Sequence, residues 1–135
     1  MPESAEATVR ALFAAFADRD AERALALVDP AFEFWPQGTA ELTGREEAYR
    51  GHDGLRRYFS DVERVWDELR VDPHDLRVAG DGVVAFGTIE GRAGGQEVRR
   101  PVIWVFKLRE ERLLYARAVA TAAEALAIAR TAGTP

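Results

Sequence analysis

The sequence predicts an α+β fold, in which a curved antiparallel sheet is wrapped by three helices from the N-terminal half and by a short C-terminal helix. Three observations support this prediction. Apolar residues in the first half recur at helical spacing, those in the second half alternate with period two, and tight turns separate the alternating runs. The 135 residues, 1–135, are expected to form one domain, because a chain of this length buries a core without disulfides.

The first two helices are predicted from apolar spacing and from capping residues. One helix begins at the N-cap Ser4, and its apolar stripe at positions i, i+3, i+4 and i+7 consists of Val9, Leu12, Phe13 and Phe16. A second, shorter helix begins at Asp20 and ends before Pro30, because the residue preceding a proline avoids the helical region. A short aromatic strand, residues 31–36, follows it.

The segment from Gln37 to Arg50 is polar, contains two glycines and has no clear period, which predicts a long loop. A third helix is expected to begin at Gly51 and to continue as far as Leu69. Its apolar stripe consists of Leu55, Tyr58, Phe59, Val62, Trp66 and Leu69.

Beyond Pro73 the period changes to two, which predicts four strands joined by hairpin turns. The strands are residues 75–78, 83–91, 97–109 and 113–120, and the turns are Gly80-Asp81-Gly82, Gly94-Gly95 and Glu110-Glu111. Thr121 is the expected N-cap of a closing helix that runs to about Ala129.

The composition argues against several functional classes. The formal net charge is −5 and the arginines are scattered, so the chain lacks the concentrated basic face that nucleic acid binding requires. No apolar run reaches the roughly 18 residues of a membrane span. Because the chain has no cysteine and no leader-like N-terminus, we expect a cytoplasmic protein. His52 and His74 are far apart and no carboxylates cluster, so we expect neither a metal nor another cofactor.

Three segments of the chain carry a resemblance to a known family. They are Phe16–Asp20 with Leu25–Pro30, Tyr49–Phe59, and Trp104–Arg109 with Arg112-Leu113. In these segments and in the order of its elements, the chain resembles the nuclear transport factor two-like superfamily, in particular its SnoaL-like and ketosteroid-isomerase-like branch. The resemblance implies a cone-shaped sheet enclosing a pocket, bounded by the first helix, the third helix and the concave sheet face. The family's last turn contains glycine, so we expect a non-glycine residue of Glu110-Glu111 to adopt a left-handed conformation.

The resemblance also locates the positions at which ketosteroid isomerases carry their catalytic groups. The base position at the end of the first strand holds Trp35, or Phe34 if the register slips by one residue. The oxyanion-donor positions fall near Leu12 and at Trp104. A base must be ionisable, so steroid isomerisation as the family performs it is not expected. SnoaL-type cyclases use an acid or base at the position of Trp104, so their mechanism is not expected here either.

An aromatic wall is the predicted ligand site, and its side chains are Phe16, Trp35, Tyr58, Phe59, Arg100 and Trp104. Each aromatic residue could instead simply fill the core. Arg100 shares a strand face with Trp104 and would suit a carboxylate or enolate, the alternative being a solvated charge at the strand end. By the family's register Ala116, Ala118 and Ala120 face inward, which would leave volume for a ligand.

Two residues are candidates for acid–base catalysis. Glu33, on the first strand, could act as a general base, and His52, at the start of the third helix, could exchange protons. The alternatives are an outward, solvated glutamate and a helix-capping histidine.

Two functions remain open from the sequence. The first is an isomerase- or cyclase-type enzyme that acts on an apolar polyketide- or steroid-like compound. The second is a non-catalytic ligand-binding or dimerisation module of the same fold. The outer face of the sheet carries a mixed apolar and basic patch, which consists of Ile103, Val105, Tyr115 and Arg117. Such a patch predicts a homodimer. The alternative is that the C-terminal helix covers this face within one chain.

Overall fold

The computed structural model of the chain describes residues 4–131, which form one six-stranded sheet and five helices. The helices are α1 (Ala5–Ala17), α2 (Ala21–Leu27), α3 (Gly38–Thr43), α4 (Gly51–Val65) and α5 (Ala122–Arg130). The strands are β1 (Val28–Trp35), β2 (Tyr49–Arg50), β3 (Glu68–Ala79), β4 (Gly82–Ala93), β5 (Gln96–Arg109) and β6 (Arg112–Val119). The predicted α+β class is confirmed. None of the helices in the described range combines the length and the apolarity that a membrane span needs.

The three predicted helix N-caps are confirmed. Ser4, Asp20 and Thr121 each accept a hydrogen bond from the backbone N–H three residues further on, at 3.1 Å in every case. Each side chain therefore pairs one of the N–H groups that the first turn of a helix leaves without a partner.

The segment predicted as a loop, residues 37–50, contains the short helix α3 and the two-residue strand β2. The prediction of a continuous loop is therefore wrong, and the N-terminal half carries four helices instead of three. α3 spans six residues and its N-cap Gln37 makes no side-chain capping bond. A helix that short, without a cap, leaves almost no periodic signal in the sequence.

The third predicted helix, α4, ends at Val65 and not at Leu69, because Trp66 already has an extended backbone. β3 consequently begins at Glu68, well before the predicted start at residue 75. The apolar side chains of Leu69 and Val71 pack against the main core from the strand. Leu69 and Val71 are two residues apart, which is the spacing of one face of a strand. Their packing against the core therefore decides for a strand, although Leu69 also continues the apolar stripe of the helix.

Pro73 lies inside β3, at a register shift against β4, and does not precede the strand. A proline cannot donate to the ladder, so an irregularity of this kind is the position in a sheet that tolerates it. Opposite it, a Cβ on Gly87 would lie only 2.3 Å from the carbonyl oxygen of Asp72. Glycine at this position therefore permits the close backbone approach at the bulge.

The sheet has the order β2-β1-β6-β5-β4-β3, and all neighbours are antiparallel except β1 and β6, which run parallel. The predicted antiparallel sheet is confirmed for every neighbouring pair of strands except that one. Trp104 of β5 is paired with Ala85 on one side and with Ala118 on the other. The face that carries Trp104 holds the main apolar core together with α1 and α4. We call this face the inner face.

A second, smaller core lies on the outer face, where α5 packs across β4, β5 and β6. Val105 and Tyr115 are 0% and 1% exposed there, in contact with Ala125 and Ala129 of the helix. The predicted exposed patch is therefore wrong for these two residues, because the chain's own C-terminal helix covers them. Ile103 remains half-buried and Arg117 is exposed.

The turn between β5 and β6 contains non-glycine residues in the left-handed conformation, as expected. Glu110 has a φ of 50° and Glu111 a φ of 69°, so both residues are left-handed. Because L-residues rarely adopt this conformation, the turn stores backbone strain.

Candidate functional site

Aromatic side chains from α1, α4, β1 and β5 meet inside the curve of the sheet. The ring of Phe34 is central, since its centroid lies 4.7 Å from that of Tyr58 and 5.7 Å from that of Trp104. The remaining space is about 10 Å³, which is room for about one water molecule. Its lining consists of Phe13, Phe16, Phe34, Val71, Trp104 and Phe106. The interior is thus an almost filled aromatic chamber and not an open pocket.

A larger cavity of about 450 Å³ opens at the mouth of the cone, where the parallel strands β1 and β6 end. Two of the predicted inward alanines, Ala118 and Ala120, line it. We call it the mouth cleft, and its other lining residues are Trp35, Pro36, Gln37, Ala40, Glu41, Gly44, Arg45, Glu46, Arg117 and Val119. Its volume lies in the range of small-molecule sites.

α3 lines the mouth cleft and, on its other side, packs toward the buried Trp66. Its Ala40 and Glu41 line the mouth cleft, whereas Thr39 is 2% exposed and faces the interior. The indole N–H of Trp66 donates to the Thr39 hydroxyl at 3.0 Å. On the other side, the Arg100 guanidinium is paired with the Glu41 carboxylate at 3.0 Å. These two contacts hold a helix that is only six residues long across the mouth of the chamber.

Within residues 4–131, two buried side-chain N–H groups on β5 have no hydrogen-bond acceptor. They are Nε1 of Trp104 and Nε of Arg100, and both atoms are buried. Arg100 and Trp104 occupy the same face of β5, four residues apart. Burial raises the pKa of the neighbouring Tyr58 to about 12, although Thr39 and Arg19 act in the opposite direction. Tyr58 therefore keeps its proton at neutral pH.

A buried tyrosine–carboxylate pair supports the wall of the chamber next to the mouth cleft. The Tyr49 hydroxyl donates to the Asp61 carboxylate at 2.7 Å, and Arg64 donates to the other carboxylate oxygen at 3.1 Å. Burial and the bond to Asp61 raise the pKa of Tyr49 to about 12. Burial alone would raise the pKa of Asp61, but the bonds from Tyr49 and Arg64 outweigh it and lower that pKa. The guanidinium of Arg45 covers the Tyr49 ring at 4.2 Å.

Four of the six predicted ligand-binding residues lie on or beside the chamber: Phe16, Tyr58, Phe59 and Trp104. Phe16 joins them, because its ring centroid is 5.5 Å from those of both Tyr58 and Phe59. Arg100 lies at the mouth, where it contacts α3.

Trp35 and Glu33 lie on the outer face, which differs from the pocket-facing position expected for Trp35 and agrees with the outward alternative for Glu33. The indole N–H of Trp35 donates to the Glu33 carboxylate at 2.8 Å, and Arg50 pairs with that carboxylate at 2.5 Å. The Arg117 guanidinium stacks on the Trp35 ring at 4.9 Å. Phe34 occupies the inner position instead, because its neighbour on β6 is the small Ala116. Trp35 still lines the mouth cleft from its edge.

His52 does not approach the chamber or Glu33. Its Nε2 lies 3.2 Å from the backbone carbonyl oxygen of Val28, so it ties the first turn of α4 to the start of β1. The structure therefore does not bring the two candidate catalytic residues together.

The sequence argument missed two contributors to the site. Phe34 entered it only as a register alternative, and nothing predicted that Thr39 would accept a bond from Trp66. The available signal for Phe34 was the alanine on β6, since a large ring needs a small neighbour on the same face. Thr39 carried no signal, because it lies in the segment without a period.

Known proteins share this architecture. Residues 9–116 match the family model described as a SnoaL-like domain. No curated protein matches the sequence. Among solved structures, TerC co-crystallised with polyporic acid is 25% identical, with a TM-score of 0.73 over 87% of this chain and 91% of that chain.

Two further solved structures are similar in fold. A nuclear transport factor two-like protein of unknown function from Burkholderia pseudomallei is 22% identical, with a TM-score of 0.76 over 93% of this chain and 97% of that one. A hypothetical protein with a ketosteroid isomerase-like fold from Catenulispora acidiphila, in complex with trimethylamine, is 16% identical. Its TM-score is 0.71 over 89% of each chain.

Proposed function

Because the chain belongs to the SnoaL-like domain family, we propose that it binds a small, flat, apolar molecule between α3 and the inner face of the sheet. The observation that carries this proposal is that the mouth cleft and the chamber meet at two residues paired across neighbouring strands. The mouth cleft reaches Ala118, whose partner on β5 is Trp104 of the chamber. A modest displacement of α3 would join the cleft to the aromatic chamber.

The chemistry of the chamber supports an aromatic ligand. Phe16, Tyr58, Phe59 and Trp104 offer ring faces and edges, which attract other rings at centroid separations of about 4.5–7 Å. Arg100 would lie at the entrance. The similarity to TerC, which was co-crystallised with polyporic acid, favours the same broad class of compound. We place this binding in the cytoplasm, in keeping with a chain that contains no cysteine.

An isomerase- or cyclase-type enzyme is the second candidate. Such chemistry needs a base within reach of the ligand, and the six side chains that line the chamber contain only carbon and one indole nitrogen. Carboxylates occur at the mouth cleft, where Glu41 and Glu46 contribute to the lining. Catalysis would therefore depend on these glutamates and not on Glu33 or His52. Binding without a chemical step is the function that the geometry supports best.

We also propose that two copies associate through the part of the outer face that α5 leaves open. There Phe86 and Ile103 are adjacent partners on β4 and β5, and both are half-buried. Trp35 and Arg117 lie alongside, so the patch has an apolar centre and a charged rim, as protein interfaces commonly do.

Binding can be measured with polyporic acid as the probe, by the quenching of tryptophan fluorescence. We expect saturable binding, and we expect Ala118→Leu to weaken it at least tenfold, because the added carbons fill the cleft beside Trp104. Ala123→Leu is the matched control, since Ala123 is exposed on α5. Equal affinity of the two variants would show that the ligand binds elsewhere. Absence of saturable binding would refute the proposal for this class of compound.

A further inference from the structure

The chamber contains a hydrogen-bond donor for which the described part of the chain, residues 4–131, supplies no acceptor. Nε1 of Trp104 is buried without an acceptor, and the whole residue is only 5% exposed. Buried polar groups in native proteins almost always have a partner, because an unpaired one retains the full cost of losing water. The missing partner of this donor therefore requires an explanation.

The other two tryptophans show that the chain does pair its indole groups. Trp66 donates to the Thr39 hydroxyl at 3.0 Å, and Trp35 donates to the Glu33 carboxylate at 2.8 Å. Of the three tryptophans in the sequence, the one inside the chamber is the one whose N–H is left free.

The indole of Trp104 is held in a fixed orientation. Its ring is stacked between Phe34 and Phe106, with centroids 5.7 Å and 6.2 Å away and interplanar angles of 22° and 28°. Its strand neighbours Ala85 and Ala118 are both small, so neither side chain reaches far across the ring. A fixed donor beside small residues is a suitable place for an acceptor atom that arrives from outside.

Arg100 provides a second free donor nearer the mouth. Its Nη2 is paired with Glu41 of α3, whereas its Nε is buried and has no acceptor. Two residues four positions apart on a strand are separated by roughly 13 Å along its axis. The deep donor at Trp104 and the outer donor at Arg100 therefore mark the two ends of an elongated site.

We infer that Trp104 and Arg100 select a flat aromatic ligand that bears a carbonyl or carboxylate oxygen. The indole N–H of Trp104 donates to that oxygen at the deep end, and Arg100 donates to a second oxygen or attracts a negative charge at the mouth. This inference rests on the proposed ligand site and adds the chemical group that the site recognises. Both buried side-chain polar atoms that lack a partner in residues 4–131 are donors, so a ligand that presents acceptors is preferred over one that presents N–H or O–H groups.

A matched pair of probes tests the inference. Naphthalene-2-carboxylate and 2-methylnaphthalene have the same ring system, but only the first carries an acceptor oxygen. Dissociation constants of both probes are measured by titration calorimetry for the unmodified protein and for Trp104→Phe. The control variant is Trp66→Phe, which removes an indole N–H that Thr39 already accepts.

We expect the unmodified protein to bind the carboxylate more tightly than the hydrocarbon. Trp104→Phe should weaken carboxylate binding about five- to tenfold, the usual effect of losing one hydrogen bond, and change hydrocarbon binding less than twofold. Trp66→Phe should change the preference between the probes less than twofold. Equal weakening of both probes by Trp104→Phe would mean that the indole only packs, and would overturn the inference while leaving the proposed site intact.

Binding of neither probe by the unmodified protein would contradict the proposed site itself, and the inference with it. A measurement on the unmodified protein covers the case in which Trp104→Phe does not fold. The indole N–H resonance of Trp104 should move downfield on addition of the carboxylate and shift much less with the hydrocarbon. An identical shift with both probes, or none, would show that the donor is satisfied only by water in the 10 Å³ space and would overturn the inference.

Discussion

Lys107, buried on the outer face, donates a hydrogen bond from Nζ to the carbonyl oxygen of Ala129 at 3.0 Å. A second bond runs from the same ammonium to the carbonyl oxygen of Thr131. These carbonyls belong to the C-terminal end of α5, where a helix leaves acceptors unpaired and where its dipole favours a positive charge. The lysine therefore attaches α5 to the sheet.

Replacing this lysine tests the attachment. We expect Lys107→Met to lower the free energy of unfolding by about 1–3 kcal/mol, because methionine fills similar space but leaves two carbonyls without their charged donor. The measurement is urea denaturation at neutral pH, with Arg112→Met as the control, since Arg112 is exposed. If Lys107→Met instead stabilises the protein, the desolvation free energy of the buried ammonium exceeds the stabilisation from its two hydrogen bonds.

The pair of Tyr49 and Asp61 gives a prediction for acid pH. The pKa of Asp61 is lower in the folded protein than its ordinary 3.8, so the folded state binds fewer protons than the unfolded one near that pH. The stabilisation is present above the ordinary value and is lost as the pH falls through the folded-state pKa. Tyr49→Phe removes the 2.7 Å bond and should cost about 1.5–3 kcal/mol at pH 7, and less at pH 3.

Denaturation of the unmodified protein and of Tyr49→Phe at both pH values checks this. Tyr115→Phe is the control, because the Tyr115 hydroxyl accepts a hydrogen bond from the Arg117 guanidinium at 3.4 Å and donates none to a carboxylate in the part of the chain that the structure describes. A difference between Tyr49→Phe and the unmodified protein that stays constant from pH 7 to pH 3 would show that the bond does not depend on the ionised carboxylate.

The left-handed turn between β5 and β6 predicts a stabilising substitution. Glu111 has a φ of 69°, a conformation that costs an L-residue roughly 1–2 kcal/mol and glycine almost nothing. Part of the gain is lost, because glycine also increases the entropy of the unfolded chain. We expect Glu111→Gly to raise the free energy of unfolding by about 0.5–1 kcal/mol, measured by denaturation. At the matched turn, Gly95 has a φ of 80°, and Gly95→Ala should destabilise by a similar amount. A loss on Glu111→Gly would show that the turn is not strained.

The sequence predicted the regular parts of this fold because their signals were long or local. The apolar stripes of α1 and α4, the caps at Ser4, Asp20 and Thr121, and the alternation of β5 all point to one structure. Where two patterns overlapped, the prediction failed. Leu69 fits both the stripe of α4 and the alternation of β3, and tertiary packing decided between them.

The candidate site was harder to predict than the fold. Both faces of β1 carry aromatic residues, so period two alone could not decide whether Phe34 or Trp35 faces inward. The choice depends on β6, which runs parallel to β1 and places Ala116 beside Phe34. A pairing between strands so far apart in sequence leaves no local pattern, and the same is true of the contact between Thr39 and Trp66.

The last prediction concerns the outer face, where glutamate at Ile103 and glutamate at Val105 should have different effects on folding and on association. Ile103 is half-buried in the open part of the face, whereas Val105 is 0% exposed beneath α5. If two copies associate through the open part, Ile103→Glu should yield a folded monomer, because a carboxylate there is solvated in one chain and buried only in the dimer. Val105→Glu should instead disrupt the fold of each chain, since the charge would lie in the second core without a partner. Light scattering at micromolar concentration gives the mass, and circular dichroism separates dissociation from unfolding. A mass near 15.0 kDa for the unmodified protein would refute the dimer. A dimer that persists in folded Ile103→Glu would refute this interface.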